Sequence, residues 1–457
     1  MIDQLTLNDG VQFLTIGITQ NSVILLCISV TLKMTQLLFN VLILTIASIS
    51  FGVELEEQYK WEYIDYVWKN SRHKQNAVKI GYYKISKNVL YDADIAPDGR
   101  IFVTVVRQRG VPASLTTINK IVERGGPLLS PYPDWTWHKF NKTNCGCDTI
   151  TSVYRISIKC NRLFVLDCGA VGEEKICPPK LLIFNLKNDM LEKCLVIPPD
   201  IASNKNGTGL LVTPLPYVRD CNYINDATVF MAGTEGYGLV IYNKNLGFYR
   251  IESDFMNATD PTIEGQSFYS KDSSLSLTII NKYLYYASLA GRKIFKIDIS
   301  NPQKFSKLTR NETNSLTKLV GTLSGQTGPI ASAQHALFFS NIPKTSILCT
   351  NTKKKFNTEI VAQDAEKLQF LSGMKVTWCG RKLLIVTNHL QHITLDLHNT
   401  SFPNKKTNFR ILTIDIEQIR QETNCFSSYN STYHSLVFFP FIPWFFYIPW
   451  FSVFIEK

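Results

Sequence analysis

A short motif, an apolar strand following a tight polar turn, occurs six times in this chain and constrains its fold more than any other feature. The copies are "PDGRIFVTV", "KCNRLFVLD", "YINDATVFMAG", "INKYLYYASL", "AQHALFFSN" and "CGRKLLIVTN". With Phe102, Phe164, Phe230, Tyr285, Phe338 and Leu384 as markers, the motif recurs at intervals of about 46 to 66 residues. Each copy is followed by a second apolar run: "ASLTTI", "KLLIFNL", "GLVIYN", "KIFKIDI", "TSILCTN" and "HITLDL". Amphipathic helical periodicity is scarce between residues 85 and 415, so the chain is read as all-β. A repeat of roughly 50 residues that opens on paired strands has the length of a four-stranded blade. Six copies filling residues 85–425 predict a six-bladed β-propeller; a pair of β-sandwiches would not explain the sixfold recurrence. The marker strands are taken as the inner strands that line the central channel, and ring closure removes exposed sheet edges.

Composition narrows the function classes. Lys and Arg exceed Asp and Glu by 48 to 37, a net charge of +11, but the excess is scattered rather than gathered into the patch that nucleic acid requires. No nucleic-acid partner is expected. The run "MTQLLFNVLILTIASISFG" from Met34 to Gly52 reads as a secretory signal peptide over residues 34–53, with cleavage near Ser50 or Gly52. Residues 1–33 then read as an extension upstream of a start at Met34, the alternative being a signal anchor. Of eleven cysteines only Cys27 precedes that cleavage, and the even remainder suggests disulfides in an exported protein. Sequons at Asn141, Asn206, Asn257, Asn311, Asn399 and Asn430 fit a secreted, extracellular glycoprotein. The propeller is expected to span residues 54–425. The apolar tail within 426–457 is interrupted by Pro440, Pro443 and Pro449. It reads as a read-through artefact, a membrane tail or a cleaved lipid-anchor signal. The first is preferred because the repeats are complete at Cys425, so no membrane association is expected unless the tail is real.

Catalytic signatures are absent: there is no G-x-S-x-G, H-E-x-x-H, phosphate-cradling G-x-x-x-x-G-K or EF-hand loop. No cofactor and no metal are expected, and His389 and His392, three apart on a strand, would face opposite sides. Asp167, Glu235, Asn341 and Asn388 fall at or just beyond the ends of the marker strands. Polar groups converging there can hold a small ligand or a cation, or tie blades together through hydrogen bonds. Arg107 and Arg109 in "VVRQRG" are read as inter-blade or surface charges.

Several longer stretches resemble the Yellow and major royal jelly protein family of insects: "LEEQYKWEYIDYVW", "IFVTVVRQRGVPASLTTI", "SPYPDW", "ITSVYRISIKCNRLFVLDCGAVG", "CPPKLLIFNL", "GYGLVIYN", "LQFLSGMKV", "LLIVTNHLQ" and "TNFRILTIDIEQIRQETNC". They occur in family order over residues 54–425. The resemblance implies a secreted six-bladed propeller. It also implies a first disulfide between Cys147 (or Cys145) and Cys160, and one closing Cys349 to Cys425. This chain departs from the family in Asp167-Cys168-Gly169, in Phe164 where a Trp is common, and in extra cysteines at Cys168, Cys194 and Cys379. By similarity to amine-binding salivary members, Phe370, Ser372 and Asn388 are candidate ligand contacts, while Leu390 stands where an aromatic sits in those proteins. The implied function is non-enzymatic binding of a small extracellular ligand, or a pigmentation, developmental or nutritional role. The competing expectation is a dopachrome-converting type of enzyme acting on catecholamine-derived quinones.

Overall fold

The computed structural model describes residues 33, 35–36, 53–138, 147–234, 236–257, 260, 262–263, 268–269, 275–289, 291–389 and 406–428. Six four-stranded antiparallel sheets follow one another along the chain. Blade 1 is Leu90–Ile95, Ile101–Val105, Leu115–Glu123 and Gly126–Pro131; blade 2 is Val153–Lys159, Arg162–Asp167, Lys180–Asn185 and Met190–Val196. Blade 3 is Leu210–Tyr217, Thr228–Thr234, Gly238–Asn243 and Gly247–Glu252; blade 4 is Leu275–Ile280, Tyr283–Ser288, Lys293–Asp298 and Lys318–Thr322. Blade 5 is Ile330–Ala333, Ala336–Asn341, Ser346–Asn351 and Glu359–Gln363. Blade 6 takes Phe370–Val376, Lys382–Asn388 and Phe409–Asp415 from the end of the chain and its outer strand, Glu56–Trp61, from the beginning. The first strands touch one another in a closed circuit from blade 1 round to blade 6 and back, which makes them the channel wall.

The marker residues therefore sit one strand further out than the sequence suggested. Phe102, Phe164, Phe230, Tyr285, Phe338 and Leu384 all lie on second strands. Their role is packing. Phe102 belongs to the cluster between blades 1 and 2, Phe164 to that between 2 and 3, and Phe230 to that between 3 and 4. Tyr285 fills the 4–5 interface, Phe338 the 5–6 interface, and Leu384 the 6–1 interface that closes the ring. The sixfold motif is thus one apolar wedge per blade boundary. The inner strands carry a weaker apolar signal because polar and charged residues such as Asp92, Asp94, Arg155 and Ser276 interrupt their pattern. The run "HITLDL" lies outside the described residues, and the third strand of blade 6 is "FRILTID" instead.

Among the described residues three disulfides staple the ring: Cys147–Cys177, Cys160–Cys221 and Cys349–Cys425. Cys349 thus closes to Cys425, but Cys147 does not pair with Cys160. Those two cysteines flank the seven-residue strand Val153–Lys159, whose ends are about 20 Å apart at 3.3 Å per residue, far beyond the reach of a disulfide. Cys160 instead joins blade 2 to Cys221 of blade 3. Cys145 and most of the expected signal peptide lie outside the described residues, as do the apolar tail beyond Ser428 and the sequons at Asn141, Asn399 and Asn430. Asn206 and Asn311 are exposed and Asn257 is half-buried. Among the described residues no helix is long and apolar enough to cross a membrane.

Because Phe164 is fully buried between blades 2 and 3, Phe164→Ala is expected to lower unfolding free energy by about 3–5 kcal/mol. Urea titration followed by tryptophan fluorescence reads that loss.

Candidate ligand cavity in the central channel

The first–second strand turns of the six blades ring one end of the channel, and from that end a cavity of about 890 Å³ runs inward. Residues from all six inner strands line it. Ile156, Leu277, Ile330 and Met374 supply apolar wall, and Trp378, 60% exposed, stands at the rim.

The depth of the cavity is charged. Asp92 and Asp94 lie two apart on the inner strand of blade 1, so the pleat puts both on one face. Each accepts a backbone N–H from the neighbouring inner strand: Asp92 Oδ2 from Ile156 at 3.0 Å and Asp94 Oδ2 from Ile158 at 2.8 Å. These bonds join blades 1 and 2. Asp92 Oδ2 also pairs with Lys375 Nζ of blade 6, which donates further to the Ala93 carbonyl at 3.0 Å. Gly373 permits that approach, because a Cβ there would sit 2.5 Å from Asp92 Oδ1. Burial, aided by the charge of Asp92, pushes the Asp94 carboxyl up to about 6, against Lys375 and the two N–H donors at Ile158 and Ile95.

Arg155 crosses the channel. From blade 2 its Nε and Nη2 donate to the Ser372 carbonyl of blade 6 at 3.2 and 3.1 Å, and Nη1 donates to the Thr213 hydroxyl of blade 3 at 3.0 Å. Its guanidinium lies 5.3 Å from the Tyr91 ring centroid in blade 1. Four blades meet on this one buried side chain.

The residues named from sequence occupy the other end, where second strands finish and inner strands begin, and none of those described lines the cavity. Asp167 is fully buried, takes the N–H groups of Thr151, Ser152 and Gly169 at 2.7, 2.8 and 3.0 Å, and faces Lys180 at 3.4 Å. Asn341 donates to the Ser324 hydroxyl and accepts from the Lys344 N–H. Asn388 donates to the Leu90 carbonyl at 3.0 Å, tying blade 6 to blade 1. Phe370 packs against Leu289 and Ile342. Ser372 is buried with no hydrogen-bond partner on its hydroxyl. Glu235, Leu390 and His392 lie outside the described residues. Arg107 is buried in an inter-blade position, donating to the Pro112 carbonyl while its N–H reaches Ser152 of blade 2, and Arg109 pairs with Glu174 at the surface. Among the described residues no group of three or more His, Cys, Asp or Glu could hold a metal ion.

The major royal jelly protein family model matches residues 151–425. The chain is 34% identical over 391 residues to major royal jelly protein 9 of Apis mellifera, covering 80% of this chain and 89% of that one. The chain belongs to the major royal jelly protein family. Major royal jelly protein 8 of the same organism is 32% identical, with 81% and 92% covered, and major royal jelly protein 1 is 32% identical, with 82% and 90% covered. Among solved structures, a luciferin-regenerating enzyme is similar at a TM-score of 0.43 and 10% identity, covering 80% of this chain and 96% of that one, which is too low to argue from. In this royal jelly family member the charged cavity residues Asp92, Asp94, Arg155 and Lys375 went unnoticed in the sequence. The sequence signal for the two carboxylates is "YDADI", an acidic pair at strand spacing on an inner strand.

An acid whose pKa rises on folding holds its proton more tightly in the native state, so it favours the fold below its unfolded value of 3.8. That contribution is lost as pH rises through about 6. Over pH 4 to 7 the wild type should lose about 2 kcal/mol at this site, and Asp94→Asn should remove that slope in urea titrations at the two pH values. Gly373→Ala should cost about 1–3 kcal/mol through the clash with Asp92, read in the same titration.

Proposed function

We propose that this chain is a secreted, non-enzymatic propeller that binds a small extracellular ligand in the cavity of its central channel. The observation that carries the reading is the 890 Å³ cavity, open at one end, apolar along its walls and charged at its depth. Volumes of this order suit a small organic molecule whose body packs on apolar wall while a few convergent polar groups orient its head. The charged groups are already held in place: Asp92 by Lys375 and Ile156, Asp94 by Ile158, and Arg155 by Ser372 and Thr213. A ligand with a cationic or hydrogen-bond-donating head and a flat apolar body fits that arrangement. Export is supported by the three disulfides and by relatives named as royal jelly proteins.

Isothermal titration with serotonin, dopamine and octopamine tests the reading. At least one amine is expected to bind, with affinity rising as pH increases through about 6 and Asp94 ionises. Asp94→Asn should weaken binding about tenfold and Asn388→Ala should leave it unchanged. The reverse pattern would move the ligand to the opposite end of the channel, and no heat with any amine would remove amines as the ligand class. Dopachrome loss above background with purified protein would overturn the non-enzymatic reading in favour of quinone chemistry.

A further inference from the structure

The helix after the ring-closing strand ends in a surface feature that the channel leaves unused. Between residues 66 and 91 the chain carries six Lys and Arg residues and no Asp or Glu. The helix Ser71–Lys79 is fixed to blade 1 along one side, where Ala77 packs into the cluster that closes the ring. Its end turns back sharply. The Ile80 N–H donates to the Asn76 carbonyl at 3.0 Å, the Gly81 N–H to the Val78 carbonyl at 3.1 Å and the Tyr83 N–H to the Ala77 carbonyl at 3.0 Å, with Gly81 at φ +71°. A left-handed glycine of this kind ends a helix by satisfying its last carbonyls. Val78, Lys79 and Ile80 are left at the tip, Val78 53% and Ile80 75% exposed. The return segment is tied to the fold by the Tyr83 hydroxyl on the Ile64 carbonyl at 2.8 Å and the Lys84 N–H on the Gly110 carbonyl at 2.9 Å.

Unneutralised charge surrounds the same tip. Lys84 stands beside it, its Cε 3.5 Å from where a Cβ on Gly81 would sit. Lys84 also opens the 3-10 turn Ile85–Lys87, which the Lys87 N–H closes on the Lys84 carbonyl at 3.0 Å. Side chains three apart on such a turn eclipse one another, so Lys84 and Lys87 leave on the same side. Lys79, Lys84 and Lys87 are all exposed, and none forms an ion pair among the described residues, whereas Lys74 of the same stretch meets Asp65 at 2.6 Å. Exposed aliphatic surface and unpaired cations are separate signals, and an anionic lipid surface answers both: headgroups attract the lysines and the acyl boundary takes the apolar side chains. A sulfated polysaccharide would meet the lysines and leave Val78 and Ile80 in water. Other exposed aliphatics stand next to carboxylates that anionic lipid repels, Val122 beside Glu123 and Ile360 beside Glu359.

We propose that the tip Val78–Ile80, flanked by Lys84 and Lys87, is a docking surface for anionic lipid bilayers. Val78 and Ile80 enter the headgroup boundary while Lys79, Lys84 and Lys87 meet lipid phosphate and carboxylate groups. This peripheral contact needs neither a spanning segment nor the apolar tail. None of these residues lines the channel cavity, so the contact stands whether or not the cavity holds a ligand.

The test is co-sedimentation of the full chain with mixed phosphatidylserine and phosphatidylcholine vesicles and with phosphatidylcholine vesicles alone. The second set reads any binding by apolar segments, which does not require lipid charge. Binding to the mixed vesicles should be about tenfold stronger and should weaken as salt is raised, because exposed charges are screened. Lys84→Ala combined with Lys87→Ala should weaken it about twentyfold, close to fivefold per lysine. Ile80→Ser should weaken it about fivefold without changing the salt dependence. Ile360→Ser, on blade 5, should bind as the wild type does. All of these side chains are exposed, so the thermal midpoint should not move. Equal binding to the two vesicle types, or indifference to the lysine pair, would overturn the proposal. Sensitivity to the lysine pair but not to Ile80→Ser would show attraction to any polyanion and overturn the lipid assignment.

Discussion

Closure of the ring is the constraint on which everything else in this molecule depends. The strand Glu56–Trp61 pairs antiparallel with Phe409–Asp415, from Glu56 opposite Thr413 to Trp61 opposite Phe409, and so completes blade 6 with the beginning of the chain. Without that strand the last blade would present an unpaired edge. Trp61 also anchors this strand to blade 1, where it is buried with its indole N–H on the Pro127 carbonyl at 2.7 Å. The segment that follows continues the clasp, with Tyr66 bridging to Leu129. One short stretch near the start of the fold thus locks the last blade to the first, and the inner strands hold a fixed circle because of it.

A fixed circle allows charged groups in the channel to be positioned rather than merely tolerated. Carboxylates and cations out of water are unfavourable unless paired and hydrogen-bonded. Here the compensation comes from neighbouring blades. Asp92 and Asp94 are met by backbone donors of blade 2, Lys375 reaches from blade 6, and Arg155 extends across to blades 3 and 6. The same contacts that satisfy these charges hold blades together, so the polar lining and the stability of the ring are coupled. Arg155 also divides the channel. On one side lies the open cavity; on the other lie Phe370, Ser372 and Asn388, packed into the joints between blades 4, 5, 6 and 1.

The number of blades was legible because each inter-blade wedge, from Phe102 to Leu384, is apolar and follows a polar turn, and burial between sheets demands that pattern locally. The inner strands were not legible in the same way. "YDADI" and "VYRISIK" carry charge at positions that point into the channel, and only the curvature of six sheets makes a charged strand face an enclosed space. The disulfides divided along the same line. Cys349 pairs with Cys425 as the family resemblance implies, whereas Cys147 and Cys160, near in sequence, stand at opposite ends of one strand.

By itself the amino-acid sequence determined the all-β class, the sixfold repetition and the membership in a family of propellers. Each of these is encoded in short-range alternation of apolar and polar residues or in contiguous motifs. Tertiary structure alone decided which strand faces the channel, which end of it is open, and which ionisable groups meet there. The physical reason is distance along the chain. Asp92 and Lys375 pair across 283 residues, and Arg155 meets the Ser372 carbonyl across 217, so no local pattern could announce either contact. They exist because a strand from the beginning of the fold completes a sheet at its end.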